Sequence, residues 1–316
     1  MCCENLQNPG EGKMKSVVLL GLMGLVLVAG CRDQFQAARP PVVHAAKLDE
    51  QFSAQRLEAL KKIESVLVRG EPVEPFAENL HIVTTAEAYR VQNFLSHGMT
   101  GYQGKIVGYK LALTSKAMRD QWQADEPIHA PLYELGQWQQ SKKLDPAEKC
   151  DIYVEAEIAF VMGKNVSQEI SSVEDILPCI QSAHVALDMA ALPFKGKPNV
   201  LDLIMVGAGS YGFVLGDRVK LSDLMSEGLV LSLRHGGREI RSGQVQGLRD
   251  GPFKALLWLS NKLLSEGNCL RAGDIVLTGA VASPYRVESI DQQENIFEGR
   301  LGQQSRVRIQ TKPSSF

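Results

Sequence analysis

The sequence predicts an α+β fold with its helices gathered on the N-terminal side. Two observations carry this expectation. Residues 47–100 hold two amphipathic patterns at helical spacing, whereas residues 101–316 are dominated by short apolar runs separated by glycine-containing turns. Helices and strands do not alternate regularly, which argues against a doubly wound parallel sheet. The composition is that of a globular protein: 316 residues, 44% hydrophobic and 22% charged, with a net charge of −2. No long basic run is present, so no nucleic-acid partner is expected.

The elements follow in chain order. Lys13 and Lys15 precede SVVLLGLMGLVLVAG (16–30), which is shorter than the roughly 20 residues of a membrane span. A basic flank, a short apolar run and small residues at its end form the pattern of a secretory signal. The run closes in LVAGC, residues 27–31, which resembles the bacterial lipoprotein signal. That resemblance implies lipid attachment at Cys31 and an exported, membrane-anchored lipoprotein, on the periplasmic or outer-membrane side in a bacterium. Met14 opens a more typical signal than Met1 does. Residues 32–46, RDQFQAARPPVVHAA, read as a polar, proline-containing linker. Phe52, Leu57, Leu60, Ile63, Val66 and Leu67 recur at helical spacing, and Gly70 and Pro72 end that helix. A second helix is expected in TTAEAYRVQNFLSHG, with Thr84 or Thr85 as cap and Gly98 as stop.

Beyond residue 101 the expected elements are mostly strands. GKIVGYKLAL reads as a strand, TSKAMRDQWQ as a short helix, and DIYVEAEIAFVM as a strand ended by Gly163. SVEDILPCIQSAHVALDMA reads as a helix running into a strand, and DLIMVGAGSYGFVLG as a glycine-rich strand pair. VLSLRHGGREIRSG is a hairpin turning at Gly236-Gly237. A helix is expected from Pro252 to Ser265, with Gly267 past its end. DIVLTGAV and SRVRIQT supply the last strands. The six cysteines form no CxxC pair and no zinc-like spacing, and Cys150, Cys179 and Cys269 are expected as buried, reduced thiols.

The strand YVEAEIAFVM carries two carboxylates in an otherwise core-like run. Successive strand residues face opposite sides, so Ile152, Val154, Ala156, Ile158 and Phe160 share an apolar face. Glu155 and Glu157 share the other, about 7 Å apart at the Cα level. Adjacent anions raise each other's pKa unless something compensates, and a divalent cation is one compensator. A solvent-facing stripe paired with lysines is the other reading of this segment.

GYKLALTSKAM, YVEAEIAF, DLIMVGAGSYGFVLG and ALLWLSNKLL…LRAGDIVLTGA occur in this order. Together they resemble the 2-keto-4-pentenoate hydratase family, within the fumarylacetoacetate hydrolase superfamily, over about Thr84 to Pro284. AEAYRVQ fits the family's helix before the GYK strand. The resemblance implies a fumarylacetoacetate-hydrolase-like mixed β-sheet or roll with N-terminal helices, its catalytic-type part lying in residues 101–316. It implies a magnesium or manganese ion held by Glu155, Glu157 and a third acid, which maps to Asp188, an aspartate where the family carries glutamate. Lys110, the lysine of GYK, would pair with the substrate carboxylate or polarise its oxo or enol oxygen. The implied activity is that of a divalent-metal-dependent lyase, a hydratase, on a small 2-oxo or 2-hydroxy-dienoate acid. Many relatives are multimers, so a homo-oligomer belongs to the same expectation.

Three segments depart from the family pattern. Ile128 stands where many family hydratases carry an aspartate able to move protons; Asp125, Glu126 and His129 are its acidic or basic neighbours, and Glu126 and His129 are the candidates for that role. Met205-Val206-Gly207 replaces the family's polar ADN loop. SPYRVESIDQQENIFEG is a longer and more polar version of the segment before the last strands. The alternatives left open are a decarboxylase of the same superfamily, a non-catalytic metal- or acid-binding lipoprotein, and an acylpyruvate hydrolase. The last normally needs a His–Glu pair, for which His129 and His184 are not obviously placed.

Overall fold

The computed structural model of the protein describes residues 52–144, 150–248, 251–287, 296–303 and 305–312. The apolar run at 16–30, Cys31, the expected linker at 32–46 and residues 288–295 of the long segment before the last strands lie outside them. Residues Arg39–Phe316 form one compact unit.

Two helices lead. Helix α1 (Ala54–Val68) starts at Ser53, whose hydroxyl accepts the Arg56 N–H. Helix α2 (Thr85–Gln103) is capped by Thr84, with Glu87 reaching back to close a capping box. Gly98 does not stop α2. A Cβ there would meet the Glu64 side chain of α1, so this glycine marks where the helices approach, and Gly104, at φ 77°, ends the helix five residues after Met99.

The remainder runs β1 (Ile106–Ala112), α3 (Lys116–Trp122), β2 (Ile128–Tyr133), β3 (Gln137–Trp138), β4 (Lys143–Leu144), β5 (Asp151–Met162), α4 (Val173–Ile176), β6 (Ile180–Leu192), α5 (Val200–Met205) and β7 (Ser210–Val219). It closes with β8 (Val230–His235), β9 (Arg238–Gln244), α6 (Pro252–Ser265), β10 (Ile275–Leu277), β11 (Tyr285–Arg286), β12 (Ile296–Leu301) and β13 (Ser305–Thr311). The fold is α+β, as expected. The segment DLIM is not a strand. Asn199 and Asp202 form a capping box that starts α5, and Gly207, Ala208 and Gly209 then turn the chain into β7 with φ of 64°, 48° and 65°. Cys150, Cys179 and Cys269 are in no disulfide among the described residues, and they are partly rather than fully buried.

The larger sheet has the order β2-β1-β10-β5-β6-β7-β3, with β11 also paired to β5; the smaller is β4-β13-β12-β8-β9. Strands β1 and β10 run parallel and approach closely at Gly108, where a Cβ would fall 1.9 Å from the Ile275 carbonyl oxygen. Leu132, Ala159, Ala186, Phe213, Ile275 and Leu277 project from one face of five strands and pack on one another. Because β2 and β7 lie far apart in strand order, this contact requires the sheet to curl into a roll around that small core. The outer face, including Leu111, Ile158, Phe160 and Leu187, packs on α6 and the second sheet. Helices α1, α2 and α5 form a third core with Leu113, Ile128 and Ala130.

Candidate metal centre

Three strands bring the charged residues together inside the roll. Glu155 pairs directly across from Asp188 on β6, and Glu157 lies two residues along β5 on the same face. Their carboxylate oxygens lie within 4.8 Å of one another. Lys110 reaches this group from β1, where its register partners are Leu277 and Ala130 on the same inner face. Leu277, Ala159, Ala186 and Phe213 pack beneath as an apolar floor. Lys110, Glu157 and Asp188 are almost wholly buried (2%, 1% and 1% exposed), and Glu155 is partly so.

The electrostatics follow from this burial. Desolvation, then Asp188, raises the Glu155 carboxyl to about 7 against the pull of Lys110. The Glu157 carboxyl is driven well above its ordinary value by burial, Asp188 and Glu155. Burial acts to lower Lys110, but the three carboxylates outweigh it and hold the ammonium above its usual range. Lys110 Nζ hydrogen-bonds to Asp188 Oδ2, while Asp188 Oδ1 is buried without a hydrogen-bond partner. Glu157 Oε2 accepts the Gly279 N–H at 2.7 Å. Gly279 has φ 88°, and a Cβ there would sit 2.5 Å from Thr114 Oγ1. This glycine therefore lets the backbone come close enough to orient the carboxylate.

These residues fit a hard divalent cation. Three carboxylates and one lysine leave a formal surplus of two negative charges, and the donors are all oxygen. The unpartnered Asp188 oxygen is the signature of an acceptor aimed at something other than protein.

Above the carboxylates opens a cavity of about 310 Å³. Lys110, Glu155 and Tyr153 line its inner part, and α3, the Ala280–Pro284 loop and the ends of β6 and α5 form the rest. The signal for Gly279 and Thr114 as site residues was weak in the sequence. Each acts through a backbone turn or a tight contact, not through a charged group.

His129 and Glu126 are not brought to this site. His129 pairs with Leu111, not Lys110, and alternation puts its ring on the outer face. The ring stacks on Tyr89 at 4.4 Å, and its Nε2 lies 2.9 Å from Glu266 Oε2 beyond α6. Glu126 is bound by Lys262 of α6 at 2.6 Å. The proton-transfer role expected for these two residues is therefore not supported by their placement. His184 is engaged by Ser182 and by the Gly216 carbonyl of β7, each at 3.0 Å. Ile128 is buried among Leu113, Ala130 and Leu203, so hydrocarbon fills the place where family hydratases carry an acid.

Residues 123–308 match the family model described as fumarylacetoacetate (FAA) hydrolase C-terminal. The chain belongs to this family. The FAA hydrolase region thus spans β5, β6 and β10, and it leaves Lys110 and helices α1, α2 and α3 N-terminal to it. Among curated relatives, 2-keto-4-pentenoate hydratase 2 of Dechloromonas aromatica (strain RCB) is 27% identical over 232 residues, covering 73% of this chain and 88% of the relative. The 4-oxalocrotonate decarboxylase of Pseudomonas sp is 26% identical over 203 residues, covering 64% and 78%. Among solved structures, 4-oxalocrotonate decarboxylase from Pseudomonas putida G7, complexed with magnesium and adipate, superposes with a TM-score of 0.74 at 21% identity, covering 82% of this chain and 97% of that one. This likeness shows that the FAA-hydrolase-type roll is shared.

Proposed function

We propose that this protein is a divalent-metal-dependent hydro-lyase, a hydratase acting on a small 2-oxo or 2-hydroxy-dienoate acid, with magnesium or manganese as its ion. The observation that carries this reading is the convergence of Glu155, Glu157 and Asp188 with buried Lys110 at the base of a cavity. Curated relatives named as 2-keto-4-pentenoate hydratases, and a solved relative holding magnesium, support it.

When bound, the ion supplies Lewis acidity toward oxygens of the acid and stabilises the negative charge that develops there. Glu155, Glu157 and Asp188 hold it. Lys110 presents a fixed positive charge beside the same oxygens, kept protonated by the carboxylates around it. The floor of Leu277 and Phe213 excludes water from below, which strengthens each of these interactions.

One observation favours a second reading. Ile128 and its apolar neighbours leave no side-chain acid at the family's proton-transfer position, which suits a metal- and acid-binding protein without turnover. Loss of 2-hydroxypenta-2,4-dienoate absorbance in the presence of magnesium, abolished by Lys110→Met, supports the hydratase. Metal-dependent binding of 2-oxo acids without any turnover supports the binder.

We further propose export with acylation at Cys31, resting on the LVAGC segment, and a homo-oligomeric state, resting on the family resemblance. Mass spectrometry of the mature N-terminus tests the first, since an unmodified Met14 start removes it. Sedimentation of the metal-loaded protein tests the second.

A further inference from the structure

The two faces of the smaller sheet differ in kind. Val307 and Ile309 of β13, Phe297 and Leu301 of β12, and Leu231 and Leu233 of β8 enter the core shared with the larger sheet. Alternation turns the residues between them to the opposite face. These include Arg306 and Arg308 on β13, Glu298 and Arg300 on β12, and Arg234 on β8, joined by Lys143, the β4 partner of Gln310.

The register concentrates positive charge there. Arg300 lies directly across from Arg306, and Glu298 lies between Arg308 and Arg234. Arg300 Nε and Nη2 donate to Glu298 Oε1 at 2.9 and 2.6 Å, and Arg308 Nε donates to Oε2, so Glu298 is buried under its two partners. Arg234 has Glu239 of β9 at 4.0 Å. The Arg306 and Lys143 side chains are exposed and meet no acid among the described residues. Five cations thus stand against two acids on one sheet face, in a chain whose net charge is −2. Ile296 and Val230 stand among them, 43% and 42% exposed.

The composition of this face selects the kind of partner. Protein interfaces centre on buried apolar and aromatic side chains. Here the centre is Glu298 under two arginines, and β13, β12 and β8 turn no aromatic side chain to this side. A bilayer surface asks for something else: cations spread toward its phosphate headgroups, and separate aliphatic groups that enter the interface. Arginine forks suit phosphate, and these guanidinium groups hold more N–H donors than Glu298 can occupy. The 20 residues between Cys31 and Phe52 reach at most about 70 Å. An anchored chain is therefore long enough to offer any face to the membrane, and charge decides which.

We infer that the solvent face of the smaller sheet is a membrane-contact face, on which Arg300, Arg306, Arg308 and Lys143 meet the phosphates of anionic lipid headgroups. The choice of a bilayer as partner rests on the export and anchoring reading; the site rests on the sheet alone.

The test is arginine footprinting of the full chain with phenylglyoxal, read by mass spectrometry, on vesicles of phosphatidylcholine with and without phosphatidylglycerol. Arg306 and Arg308 are expected to react at least about fivefold more slowly on the anionic vesicles, the factor that about 1 kcal/mol per cation gives. Arg90 and Arg271, exposed outside this sheet, keep their rates. Protection disappears at about 1 M salt, where the screening length is about 3 Å. Arg306→Glu with Lys143→Glu breaks no ion pair among the described residues and is expected to abolish the protection of Arg308. Lys164→Glu with Lys254→Glu, an equal charge change outside the sheet, is expected to leave it intact.

Equal protection on neutral vesicles, protection of Arg90 and Arg271 alike, equal loss in both double variants, or a chain that floats with neither vesicle overturns the inference. Protection that arises without vesicles, alongside self-association in sedimentation, assigns the face to a second copy and overturns it too. Mass spectrometry of the N-terminus separates this from the anchoring reading. Protection with an unmodified Cys31 removes acylation and leaves the face standing, whereas acylated Cys31 without protection does the reverse.

Discussion

Replacing Glu155 by glutamine should make the metal-free protein more stable and the metal-loaded protein less so. The carboxyl stands at about 7 in the fold against an ordinary 4.5, because it is buried beside Asp188. A raised carboxyl binds its proton more tightly in the folded state than in the unfolded chain. Its contribution to stability is therefore most favourable below about pH 4.5, falls as pH rises, and levels off above about 7. Lifting a carboxyl by that amount corresponds to about 3 kcal/mol at about 1.4 kcal/mol per decade. Glutamine keeps the shape and removes the charge, so the variant gains nothing at pH 4 and about 3 kcal/mol at pH 8, in chelator. Ion at about 1,000 times its Kd reverses the order, since it adds about 4 kcal/mol to a protein that binds it and nothing to one that does not. The assay is urea unfolding from pH 4 to 8, with chelator and with magnesium, beside calorimetric metal titration. A variant no more stable than its parent at pH 8 in chelator, or one with undiminished metal affinity, would refute the placement of Glu155 in a buried cation site.

Three further outcomes are expected. Gly279→Ala forces a Cβ against Thr114 at a positive φ, so it should cost about 1–3 kcal/mol and weaken metal binding by displacing the N–H that orients Glu157, seen by denaturant unfolding and metal titration. His129→Gln removes the stack on Tyr89 and the bond to Glu266 on the outer face, so unfolding should show a loss of about 1–3 kcal/mol while metal affinity stays unchanged; a large fall in affinity would bring His129 back into the site. Asp202→Asn strips charge from a buried carboxylate that accepts the N–H groups of Phe76 and Ala77 at 2.8 Å and of Asn199 at 3.1 Å. Unfolding should show a cost of about 1–3 kcal/mol without any change in metal stoichiometry.

The residues that were legible in the sequence share a cause. Glu155 and Glu157 stood out because period-two alternation separates two charges from an unbroken apolar face, and a strand keeps that relation wherever it lies. Asp188 and Lys110 became legible through resemblance alone, since nothing local distinguishes Asp188 from an aspartate at a strand end. His129 shows the limit. It is one residue from Ile128 and three strands along the sheet from the nearer carboxylate strand, and a single step along β2 turns its ring to the opposite face. The pairing partner decides that outcome, and no spacing within HAPLY reports it. DLIM was misread for a related reason. Its apolar run suits a strand, and the deciding signal, Asn199 three residues before Asp202, lies upstream of the run in a capping box. Strands β2, β3, β4, β11 and β12 were not anticipated; three of them have only two residues each, and their pairing is set by neighbours remote in sequence.

The alternation of β5 has a consequence for how the sheet assembles. If β5 slipped by one residue against β6, both glutamates would enter the outer hydrocarbon core beside Phe160 and Phe253, and Val154 and Ala156 would take their place inside the roll. Two carboxylates stranded in hydrocarbon are far costlier than any contact such a misaligned sheet could recover. The acidic pair thus proofreads the folding of the strand that carries it, and rejects the wrong register before any ion has arrived.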